Sequence, residues 1–125
     1  MKEKALNDMT EEEIVDEFTS LAVRQKEASE KDRFSIYNKL YARVVELGRE
    51  LKSRPGDRRR DLLPLLAHDN VQVRFMAARE VLAVAPEAAC RTLQEIKDSN
   101  WFPFAADAGT TLSAFKSGVF PRPDP

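Results

Sequence analysis

Apolar residues recur three or four positions apart in one run after another along this chain, and no stretch alternates between turns as a half-buried strand does. That period admits an all-α fold and little else. Thr10-Glu11-Glu12-Glu13 reads as a capping box: the Thr10 hydroxyl accepts a free backbone N–H while Glu13 reaches back to the cap. A first helix is therefore expected over about residues 11–28, with Ile14, Phe18, Leu21 and Gln25 on one face. Asp32 is the expected cap of a second helix, whose Phe34, Tyr37, Leu40, Val44, Leu47 and Leu51 form a broad apolar stripe. Arg54-Pro55-Gly56-Asp57 should end it, because the residue before proline is pushed out of the α region and glycine accepts the left-handed turn.

Leu62-Leu63-Pro64-Leu65-Leu66 predicts a short helix capped by Asp57 or Asp61, with Pro64 in the first turn, where its missing N–H is harmless. A further helix spans Val71 to Leu82, and its paired Ala77 and Ala78 suit a close helix crossing. Pro86 and Glu87 mark the next start, with Ala89, Leu93 and Ile96 buried. The last helix is expected from Phe104 to Lys116, ending near Gly118. The chain fits one domain, residues 1–120, followed by an irregular proline-rich tail, 121–125.

With 20 Lys and Arg against 21 Asp and Glu, no overall field draws the chain to nucleic acid or anionic lipid. The single cysteine, Cys90, rules out an internal disulfide and points to a reducing cytoplasm. No Cys/His cluster suits zinc, no glycine-rich phosphate loop is present, and no run approaches the ~18 apolar residues of a membrane span. Neither a cofactor nor a membrane is expected. His68, the only histidine, has no Ser-His-Asp or Cys-His pattern around it and reads as a turn residue facing solvent. Cys90 reads as a buried, inert thiol, and the chain as a non-enzyme.

The stretch Leu62 to Ile96 resembles a HEAT repeat: a leucine-rich first helix with proline, a turn containing Asp69, then Val73-Arg74 and Ala77-Ala78. More broadly, Thr10 to Phe120 resembles a small bacterial HEAT-like (armadillo-type) family catalogued as a domain of unknown function. The resemblance implies antiparallel helical hairpins, about six helices in a short right-handed stack. It also implies an interaction between Asp69 and Arg74, and brings no activity with it.

Two features could recognise a partner. The stretch Arg49, Lys52, Arg54, Arg58, Arg59 and Arg60 carries a net +4 after Glu50 and Asp57, and with Arg74 and Arg79 could track phosphates. The segment Glu3 to Glu17 carries a net −6, so the same cations could instead meet carboxylates of the chain itself. The aromatic run Trp101-Phe102-Pro103-Phe104 either plugs the core or contacts a partner, readings that differ in exposure. The expected function is a non-catalytic protein-interaction module, for example an adaptor or immunity-type protein, of unassigned partner and oligomeric state. The alternative is a nucleic-acid-binding helical domain using Arg49 to Arg60.

Overall fold

The structure, a computed structural model, describes residues 4–121. Among them are five α-helices and two 3-10 segments, and no strand. The backbone gathers into two compact units, Met1–Leu62 and Leu63–Pro125. The expected tail falls mainly on residues 122–125, which lie outside the described residues.

In the first unit a 3-10 turn, Leu6–Asp8, leads into helix α1, Glu11–Glu30, and helix α2, Phe34–Ser53. The capping box forms: Thr10 Oγ1 accepts the Glu13 N–H at 3.1 Å and Glu13 Oε1 accepts the Thr10 N–H at 2.8 Å. Lys4, then the Thr10 contacts, hold the Glu13 carboxyl below its ordinary pKa. Ile14, Phe18, Leu21 and Ala22 of α1 and Leu40, Val44, Leu47 and Leu51 of α2 are buried. Arg43 Nε bonds Glu17 at 2.7 Å and Arg54 bonds Glu11. Rising residues on one helix thus meet falling residues on the other, so the pair is an antiparallel hairpin.

Two expectations for α2 need correction. Asp32 does not cap it: Asp32 sits in the left-handed region at φ 54°, Arg33 is the capping residue, and it makes no side-chain cap bond. The Arg33 N–H instead closes the end of α1 on the Ala28 carbonyl at 2.8 Å. Phe34, placed on the apolar stripe, is 64% exposed, at the first residue of α2 beside the turn that joins the two helices.

Past Gly56, at φ 79°, the chain enters the expected short helix, which takes the 3-10 form over Arg58–Ala67. Pro64 lies well inside it. The Asp57 carboxylate accepts the Arg59 N–H at 3.2 Å and starts the coil several residues before the proline. Proline then denies an α-type ladder its donor and crowds the carbonyl four residues back, leaving the tighter winding.

The second unit holds helices α3, Val71–Val81, α4, Pro86–Asp98, and α5, Phe104–Lys116. Asn70 caps α3, its Oδ1 accepting the N–H groups of Gln72 at 2.9 Å and Val73 at 3.2 Å. Phe75, Met76, Ala77, Ala78 and Val81 bury the helix on several sides. Pro86 opens α4 at its first turn as expected. The bounds of α5 match the sequence expectation, and Gly118 follows at φ 80°, where a side chain would be strained. Beyond it the chain folds back, with the Val119 and Phe120 N–H groups sharing the Ala114 carbonyl at 2.9 and 3.1 Å.

Candidate functional site

The basic stretch is largely occupied by the protein's own carboxylates. Arg54, its side chain only 13% exposed, bonds Glu11, Glu50 at 3.0 Å and the Leu6 carbonyl at 2.9 Å. Arg59 grips Asp57 through Nε at 2.9 Å and Nη2 at 2.6 Å, and this pair holds the Asp57 carboxyl below its ordinary pKa. Arg58 pairs with Asp61 at 2.9 Å. The positive field of Lys52 also reaches Asp57. Only Arg49 and Arg60 stand exposed with no ion pair among the described residues. A stretch that reads as +4 in sequence is thus mostly a clasp closing α2 and the turn after it.

Arg74 and Arg79, in the second unit, are also engaged. Arg74 Nη1 donates to the carbonyls of His68 at 2.8 Å and Asp69 at 3.0 Å, so the resemblance's link between Asp69 and Arg74 runs through backbone oxygen. Arg79 bonds Glu80 at 2.9 Å and lies over the Phe120 ring, 4.7 Å from its centroid. His68 is half-buried, its Nδ1 accepting the Asn70 N–H at 3.0 Å. Cys90, expected to be buried, is half-buried near the start of α4, where the helix edge meets solvent. Among the described residues no group of three His, Cys, Asp or Glu could hold a metal ion. None of their helices is long and apolar enough to cross a membrane.

The aromatic run divides between the two readings. Phe104 is buried and meets Trp101 edge to face at 5.2 Å between centroids, which is the plug. Trp101 is 46% exposed and Phe102 63% exposed, so both rings are left largely in solvent. Phe102 stands at the mouth of an open groove of about 720 Å³ that follows α5. Its floor is made of small side chains, among them Ala105, Ala106, Gly109, Ser113 and Ser117. Val119, 64% exposed, closes the far end, and the Lys97 stem lies 3.7 Å from the position of a side-chain carbon on Gly109. Lys116 borders the adjoining hollow, and no carboxylate lines either one.

The sequence reading named Trp101 and Phe102 but missed this floor. Its signal was present: small residues at 105, 106, 109, 113 and 117 recur at helical spacing beside the buried stripe Ala105, Ala108 and Leu112. A small-residue face admits the close approach of another helix.

Comparison with known proteins places the chain in context. The model of a family described as Domain of unknown function (DUF2019) matches residues 12–116. The crystal structure of the protein RPA1889 from Rhodopseudomonas palustris CGA009 is similar at a TM-score of 0.89 and 39% identity, covering 98% of this chain and 100% of that one. No curated protein matches.

Proposed function

The chain belongs to the DUF2019 family, whose description names no activity, and from that starting point we propose that it is a non-catalytic protein-interaction module working through the α4–α5 surface. The observation that carries this reading is the pair of exposed rings, Trp101 and Phe102, the second of which lines a groove floored by small side chains. Large apolar rings left in water beside a concave apolar floor gain by being covered, and aromatic anchors of this kind dominate protein interfaces. In this reading Leu62 to Ile96 is a HEAT-like unit, the location is the cytoplasm, and an adaptor or immunity-type role is one concrete form. His68 and Cys90 serve the fold rather than a reaction.

The experiment is photo-crosslinking from a probe placed at Phe102 in native cytosol, with Ser113→Trp, which fills the groove floor, as the control variant. A discrete protein adduct, lost in Ser113→Trp while the melting temperature holds, is the expected result. The reading fails if Phe102 yields no more adduct than a probe at exposed Ser35.

A further inference from the structure

The groove along α5 is cationic as well as apolar. Lys97 and Lys116 are the charged residues bordering it, both exposed, and neither has an ion pair among the described residues. Helix α1 carries the complementary face. Glu12, Asp16, Ser20, Val23, Glu27 and Glu30 are exposed at spacings of three and four, so they form one outward stripe. Val23, 40% exposed, places an aliphatic side chain within it.

The stripe divides along its length. Glu27 and Glu30 are answered by Lys31 at 2.8 Å and Lys26 at 2.9 Å. Glu12 and Asp16, one helical turn apart, have no ion pair among the described residues. Arg24 is the one cation among the exposed residues of α1, two turns from Asp16. One end of the helix therefore offers two uncompensated carboxylates, while the groove offers two uncompensated ammonium groups and a floor low enough for a helix to approach.

We propose that this chain associates with itself head to tail, the α1 stripe of one copy seating in the α5 groove of the next, with Glu12 and Asp16 meeting Lys97 and Lys116. The proposal rests on the interaction-module reading and names its partner as a second copy. The two faces are made of different residues, so a contact that uses one face of each copy leaves the other face open to a further copy. Opposite charges at the rim steer and orient the encounter, so the association weakens as salt rises.

The test uses the full chain in sedimentation and light scattering across protein concentration, at roughly 0.05 M and 0.5 M salt. Mass should rise with concentration at low salt and fall back at high salt. The pair Lys97→Glu with Lys116→Glu should be monomeric, and so should the pair Glu12→Lys with Asp16→Lys. An equimolar mixture of the two variants should recover a mass above monomer, because each supplies the charge the other now lacks, which also shows that both are folded. Ser113→Trp, which fills the floor without changing charge, should weaken wild-type association at least tenfold. A wild type that stays monomeric throughout, variants that still associate, or a mixture that stays monomeric each overturns the proposal. A monomeric wild type that still gives a discrete adduct from Phe102 overturns self-docking alone and keeps the broader reading.

Discussion

Arg54 reaches back 43 residues along the chain to Glu11 and joins the end of α2 to the start of α1. The same guanidinium holds Glu50 and the Leu6 carbonyl, so a single side chain ties together three separate segments. Replacing it with methionine keeps the apolar stem and removes the bonds. Arg54→Met should destabilise the protein by about 1.5–3 kcal/mol, the range for hydrogen bonds to charged groups, with solvent screening favouring the lower end. Denaturant unfolding measures it, and a cycle with Glu11→Gln should return a coupling of the same sign.

Gln25 lies on the buried face of α1 with no solvent exposure, and neither its Nε2 nor its Oε1 has a hydrogen-bond partner among the described residues. A desolvated amide with nothing to bond is a net loss to the folded state. Gln25→Met, similar in shape and without the polar head, should raise stability by about 1–3 kcal/mol. Thermal melting at fixed pH decides it, and a lowered midpoint would mean that an ordered water satisfies the amide.

Ala77 has no exposed surface and sits among buried neighbours on α3. A larger side chain there must displace packed atoms, so Ala77→Leu should cost about 1–3 kcal/mol. An unchanged melting midpoint with an intact helical spectrum would contradict the close crossing at this helix.

Burial raises the pKa of Asp107 on α5 above its ordinary value. Folding then favours the neutral carboxyl, so the contribution is most favourable below the unfolded pKa and is lost as pH rises through the folded one. Asp107→Asn should therefore melt above the wild type at pH 7, and the difference should close near pH 3, where both folded and unfolded wild-type carboxyls are protonated. A gap that persists at pH 3 would mean that the gain has another origin.

With Arg54, Arg58 and Arg59 committed to carboxylates, affinity for DNA or RNA near physiological salt should not exceed the non-specific range of about 10⁻⁴ to 10⁻⁶ M. Arg49→Glu with Arg60→Glu should remove most of that background. Titrations across ionic strength provide the measurement, and tight binding of one nucleic-acid structure would favour the alternative function.

What the sequence disclosed is what its local chemistry dictates. The Thr10–Glu13 box, Pro86 at the start of α4 and Gly118 after α5 act within a few residues, and each was legible. Asp32 failed as a cap because the same residue type also suits a left-handed turn, and the closure of α1 on Ala28 selected that second use. The destination of Arg54 was hidden for a different reason, since composition shows a basic stretch and an acidic stretch without showing which groups meet. The exposure of Phe102 was likewise undetermined, because an aromatic run has the same spelling whether it plugs a core or faces water. Of the residues around the groove, Phe102 was already named from the sequence, while the small-residue floor became visible only once α5 was set beside Lys97.

Asp57 follows Gly56 in the left-handed region at φ 54°, a conformation that glycine would adopt with less strain. Yet glycine there would release Arg59, which holds the Asp57 carboxylate with two of its nitrogens. The better backbone residue and the better side-chain residue are thus different amino acids at one position. The two positions are therefore coupled: a change at residue 57 releases the Arg59 guanidinium from this carboxylate, and a change at Arg59 leaves that carboxylate the backbone N–H of residue 59. Among descendants of this sequence a change at one of the two positions should be felt at the other.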